Sequence, residues 1–215
     1  MTLPASAHAA GTARPAAPAA TGALVKLDGA RLAELRPHLD LPPPAEVLVD
    51  TCVDAPAALQ ALVGGGFLLE AARLLAHALP RREAVWWACM CARHTAPADL
   101  PAADRAALEA TELWVRRPTD ENRRAAYGLA EAAGFGSPEA WVGVAAFWSG
   151  DSMSPLGQPA VPPAAHLAGR AVAGATGLAS VRAHPDRQAR RLATFIAGAR
   201  EIAGGGTGRL AAEDA

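Results

Sequence analysis

The sequence predicts an all-α fold, and three observations carry that expectation. Half of the residues are apolar (51%) but only 5% are aromatic, because alanine supplies much of the apolar share. Alanine is the best helix former and a weak strand former. Helix start and stop signals recur along the chain, with Asp54, Thr119 and Ser137 ahead of apolar runs and glycine or proline behind them. Apolar residues also repeat at helical spacing, as in Trp141, Val144, Ala145 and Trp148. We expect about seven helices, packed as successive antiparallel neighbours around a central, buried, Trp/Cys-rich helix.

Residues 1–22 are almost entirely Ala, Pro, Gly, Ser and Thr. Such a segment buries too little side chain to offset its ordering entropy and reads as a disordered leader. It lacks the basic start and apolar stretch of a secretory signal. Residues 23–50 read as an extended linker with a short helix over 28–35, stopped before Pro37. Pro42, Pro43 and Pro44 impose extended backbone. Residues 46–53 alternate briefly like a strand, with only 23–27 nearby to pair with, so at most a two-stranded ribbon is expected.

The helical domain is expected over residues 51–204. Asp54 caps a short helix that ends at Gly64, Gly65 and Gly66. Residues 67–78 follow, with Leu68, Ala72 and Leu75 inward. Pro80 suits the first turn of the next helix, which runs to about Arg93 and carries nine uncharged residues in a row, among them Trp86, Trp87, Cys89 and Cys91. A helix apolar on every face packs on several sides. Residues 99–117 and 120–133 form the next two; Phe135, after Gly134, is placed for the apolar contact of a glycine C-cap. Ser137 and Pro138 start the helix to Ser149. Residues 150–162 form one long irregular loop. Two more helices follow, about 163–183 and 185–203, the first with Gly169, Ala173 and Gly177 as a small-residue stripe for close helix approach. Residues 205–215 read as a flexible tail.

Composition excludes several functions. With 20 basic against 21 acidic residues, there is no polybasic field for nucleic acid or an anionic membrane. No run of 18 apolar residues exists, so no membrane insertion is expected, and a cytoplasmic protein is the default. Three cysteines are too few and too clustered for a disulfide framework. Cys89 and Cys91 lie two residues apart, about 200° around a helix, and point to opposite sides. With His94 they do not make a structural zinc site, so neither metal nor cofactor is expected.

Three motifs invite chemistry. Residues 150–154 (GDSMS) resemble the nucleophile block of GDSL-type hydrolases, but they follow a Trp-rich helix, and neither His166 nor His184 has the Asp three residues before it that the family uses. His184-Pro185-Asp186 matches the tripeptide of J-domain co-chaperones, yet it explains itself as a helix start. Arg81 and Arg82 are the third. Two cations in a first helical turn oppose the dipole by roughly 0.3–1 kcal/mol each. Pairing with Glu112, Asp120 or Glu121 on neighbouring helices is the favoured explanation; a partner-binding patch with Arg116, Arg117, Arg123 and Arg124 is the functional one.

Three blocks, residues 78–93 (ALPRREAVWWACMCAR), 119–148, and FWSGDSMSP leading into AVPPAAHLAGRAVAG, resemble an uncharacterised proteobacterial family, DUF6931. The likeness covers roughly residues 51–204 and implies no activity. It implies an association with type VI secretion gene neighbourhoods. The expected function is a non-catalytic adaptor or accessory protein that binds another protein through Arg81, Arg82, Arg116, Arg123, Arg124, Trp148, Asp151 and Ser152. The alternative is a hydrolase-like enzyme using the 150–162 loop, with Asp151, Ser152 and His166 or His184 near a pocket.

Overall fold

The computed structural model describes residues 23–213; the Ala/Pro-rich leader lies outside them. Ten α-helices carry the fold, with no strand among the described residues. They are α1 (Leu32–Leu35), α2 (Pro43–Asp50), α3 (Ala55–Gly64), α4 (Leu68–Ala78), α5 (Arg81–His94), α6 (Ala102–Arg116), α7 (Asp120–Ala132), α8 (Pro138–Trp148), α9 (Leu167–Val181) and α10 (Gln188–Ala203).

The excess over about seven helices comes partly from the segment before Asp54. The proline run expected to hold an extended connector is instead a helix start. Pro42 supplies the extended N-cap, and Pro43 and Pro44 occupy the first turn, where a missing N–H costs nothing. The strand-like alternation after it resolves into a helical face. Ala45 and Val49, four apart, are buried, while Val47 is exposed. Leu27 and Leu39 join the same core as the later helices, so residues 23–50 pack as part of the fold rather than as a linker.

Local signals set the later helix ends. The side chains of Asp54, Thr119 and Ser137 accept hydrogen bonds from the backbone N–H three residues on, at 2.7, 3.2 and 3.1 Å. After α7 the chain turns through positive φ at Gly134 and Phe135. The N–H groups of Gly134 and Phe135 donate back to the Glu131 and Ala130 carbonyls at 2.9 and 3.4 Å, the pattern of a glycine C-cap, and the Phe135 ring packs on Tyr127, 5.8 Å between centroids.

Helices α6 to α9 pack in succession, but α9 also returns to α4 and α5, and α10 lies across the same two. Thus α4 and α5, neighbours in sequence, are joined largely through later helices. The interior is divided between α5 and α8. Eight of the 14 residues of α5 are buried, and nine of the 11 of α8, which is enclosed by α5, α6, α7 and α9. At Gly143 the α7 backbone comes so close that a Cβ would lie 2.7 Å from the Ala126 carbonyl oxygen. Trp87 is fully buried and ties α5 to α10 by donating from Nε1 to the Phe195 carbonyl at 2.8 Å.

The segment after α10, expected to be flexible, is docked as far as Glu213. Trp86 Nε1 donates to the Thr207 carbonyl at 2.8 Å, and the Glu213 N–H donates to the His94 carbonyl at 2.7 Å. The Glu213 carboxylate meets Arg190 at 2.7 Å and Arg191 at 2.6 Å. Gly208 is buried at φ 59°, where a side chain would strike Ile202. Composition hid this docking because it depends on hydrogen bonds and ion pairs rather than on apolar bulk.

Candidate functional site

Arg82 and Trp86 stand four residues apart on α5 and so share a face. Arg116 ends α6, Lys26 lies in the 3-10 turn Val25–Leu27, and Arg209 lies on the docked tail. Together they line a groove of about 380 Å³, with Val115 and Ile202 adding apolar surface. Four cationic side chains face one carboxylate, Glu83, which Lys26 meets at 3.5 Å. Arg116 lies 3.9 Å from Glu112. Arg82 and Arg209 have no carboxylate partner among the described residues.

The compensation expected for Arg81 and Arg82 is therefore not made. Glu112 is held by Arg93, two nitrogens on two oxygens, with Arg116 farther off. Asp120 is held by Arg123 and Arg124. Both helix-start arginines are exposed. Arg81 lines a separate small cavity beside His77 and Gly169.

Arg123 and Arg124 belong to no shared patch with Arg82. Arg123 is only 3% exposed. Its guanidinium donates to the Phe147 carbonyl at 2.6 Å and to the Ser152 carbonyl at 2.9 Å, and lies 4.8 Å over the Phe147 ring. Arg124 meets Asp120 at 2.6 Å. Hydrogen bonds from Arg124 and then Arg123 hold the Asp120 carboxyl below its ordinary range. Arg123 braces the end of α8 and the loop after it, a structural duty for a residue expected at an interface.

That loop is internally tied. Ser152 Oγ accepts hydrogen bonds from the N–H groups of Ser154 and Val161, both at 3.1 Å, and the Met153 N–H donates to the Val161 carbonyl at 2.8 Å. No histidine hydrogen-bonds to Ser152 among the described residues. Asp151 is exposed, and Trp148 is half-buried against the core. His166 stacks on His38, and His184 lies on an exposed turn.

Cys89 and Cys91 are both buried, and burial pushes both thiols well above their ordinary pKa. Among the described residues no three His, Cys, Asp or Glu side chains gather as metal ligands. Sequence reasoning missed Lys26 and Arg209, which no local pattern connects to Arg82, and it assigned Trp86 to the interior. A signal for Trp86 was present: adjacent helical residues point about 100° apart, and Trp86 shares its face with exposed Arg82.

No curated protein and no solved structure matches the chain. A family model, described as a family of unknown function (DUF6931), matches residues 58–203, from within α3 to the end of α10. The groove therefore combines residues inside that span, Arg82, Trp86 and Arg116 among them, with others outside it, including Lys26 and Arg209. The chain belongs to the DUF6931 family.

Proposed function

We propose that this protein is a non-catalytic adaptor or accessory protein that grips an acidic segment of a partner protein in the groove between Lys26, Arg82, Arg116 and Arg209. The observation that carries the reading is a pair of cations, Arg82 and Arg209, without carboxylate partners beside a half-buried tryptophan. Arginine and tryptophan are the residues that most often anchor protein interfaces. Arg82 also sits in the first turn of α5, where the helix dipole adds to its own field and favours an anionic group. An acidic side chain seated there pairs with Arg82 and Arg209, which no carboxylate among the described residues does. The near-neutral net charge favours a protein partner over nucleic acid. No helix among the described residues is long and apolar enough to cross a membrane. The setting we propose, the cytoplasm of a bacterium with a type VI secretion apparatus, rests on the family likeness.

The test is capture from host lysate by wild-type protein and by an Arg82→Glu/Arg116→Glu variant, followed by direct titration of each recovered protein. The reading stands if an acidic partner binds wild type and loses about tenfold or more in affinity for the double variant. It falls if every recovered partner binds both forms equally.

A further inference from the structure

Three histidines from separate segments meet as a stack. His38, in the 3-10 turn Arg36–His38, lies 5.7 Å from His77 of α4 and 4.4 Å from His166 at the start of α9, with interplanar angles of 25° and 15°. All three are half-buried, and none has a hydrogen-bond partner for its ring nitrogens among the described residues. Their ring nitrogens are not sealed in the core and so stay open to solvent or to a ligand. A Cβ at position 169 would run into His77 Nδ1, so α9 approaches the ring only because that residue is glycine.

The stack opens on a cavity of about 520 Å³ whose polar lining includes His38, Asp40, Arg73, His77 and Arg170. That volume lies in the range of small-molecule sites. Arg170 is exposed and has no carboxylate partner among the described residues. Arg73 donates to the carbonyls of Leu39 and Asp40 at 3.4 and 3.2 Å and lies 4.0 Å from Glu70. Burial first, then the neighbouring His38, His166 and Arg170, pull His77 down to about 4, opposed by Asp40. The cavity thus gathers cationic and proton-accepting groups with one carboxylate on its lining.

We propose that this cavity binds a tetrahedral oxyanion, inorganic phosphate or the phosphoryl group of a small molecule, held by His38, Arg73, His77 and Arg170. The donors come from three segments, the turn before α2, α4 and α9, and so surround a tetrahedral group. A planar carboxylate is met better by a single guanidinium fork. A dianion among these groups replaces the missing counter-charge and draws protons onto the imidazoles. Binding therefore tightens as pH falls, set by His77 with His38 and Asp40 facing it from the turn, Glu70 and Arg73 on its own helix, Arg81 from α5, and His166 and Arg170 from α9.

The experiment is a sulfate titration of the full chain, followed through the Cε1–H resonances of its histidines. Sulfate stays dianionic throughout, so any pH dependence belongs to the protein. We expect saturable shifts at His38 and His77, with His184 unmoved and chloride at equal ionic strength without effect. Affinity should be about fivefold or more higher near pH 5 than near pH 7.5, the window above the lowered His77 value in which a bound dianion draws its proton on. It should fall about fivefold or more in Arg170→Ala, an exposed position whose change leaves the core intact. Acetate should bind more weakly than sulfate. Glycerol phosphate tighter than inorganic phosphate assigns a phosphomonoester, and equal affinity assigns the free ion. Absence of saturation, an undiminished response in Arg170→Ala, or equal affinity for acetate overturns the proposal.

Discussion

Arg123 and Phe147 are joined twice: the guanidinium donates to the Phe147 carbonyl at 2.6 Å and also lies over the Phe147 ring, 4.8 Å from its centroid. The same guanidinium reaches the Ser152 carbonyl and Asp120. Removing it takes the side-chain donor from the Ser152 carbonyl, leaves the Phe147 carbonyl with only the long bond from the Gly150 N–H at 3.4 Å, and leaves Asp120 to Arg124 alone. Arg123→Ala should cost about 3 kcal/mol in urea-induced unfolding. Arg123→Lys should recover less than half of that, because an ammonium cannot fork between the carbonyls and the carboxylate. Equal stability of wild type and Arg123→Ala would show that the loop is held by other means.

Glu213 fastens the tail. Hydrogen bonds from Arg191 first, and then from Arg190, pull its carboxyl from 4.5 down to about 2. A depressed acid stabilises the fold fully above its unfolded pKa, and that contribution is lost as pH falls from about 4.5 towards 2. Glu213→Gln should remove about 1 kcal/mol at neutral pH, a modest value because the cluster is peripheral. The same variant should flatten the acid limb of the stability curve. Amide exchange at position 213, protected by the His94 carbonyl, should accelerate. Identical acid limbs for wild type and Glu213→Gln would refute the assignment.

Two helical glycines should respond to alanine with opposite signs. At Gly143 the new methyl meets the Ala126 carbonyl oxygen at 2.7 Å and Ala130 Cβ at 2.9 Å, and backbone cannot step aside. The variant should lose about 2 kcal/mol. At Gly177 nothing lies within 4 Å, so Gly177→Ala should gain about 0.5–1 kcal/mol from a stiffer unfolded chain and better helix propensity. Denaturation midpoints of the pair decide it.

The cysteines should separate by reactivity. Cys89 and Cys91 are sealed in the core with raised thiol pKa values, whereas Cys52 is half-buried and bonded to the Leu48 carbonyl at 3.2 Å. A thiol-specific chromophoric reagent at about pH 8 should therefore titrate one thiol in the native protein and three in denaturant. Rapid release of three equivalents without denaturant would contradict the packing of α5.

What could be read from the sequence was what a few adjacent residues spell out. The caps at Asp54, Thr119 and Ser137 form because side-chain oxygen and N–H lie three residues apart. The same local logic also held an unused clue: Asp120 stands three and four residues before Arg123 and Arg124, the spacing of helical ion pairs, and it takes both arginines away from any patch. Residues 46–53 resemble a strand because Val47 and Val49, two apart, would share one strand face; in α2 Val49 is buried and Val47 exposed. The small-residue stripe of α9 was legible as a pattern but not as a contact. Gly169 meets a histidine, Gly177 meets open space, and the tightest backbone approach is at Gly143. The groove and the histidine stack were beyond reach. Their members are separated by tens of residues, and only tertiary packing sets which arginines stay unpaired.

Trp86 binds a carbonyl 121 residues later, and Lys26 meets a carboxylate 57 residues later. The groove is thus a seam closed by the first and last described segments of the fold, through contacts between residues far apart in sequence. On the ribosome, a growing chain that stops short of Thr207 and Arg209 has helices to show but no completed cleft. The cleft therefore depends on both segments staying docked, and local unfolding of either the 23–27 segment or the 204–213 tail would open it.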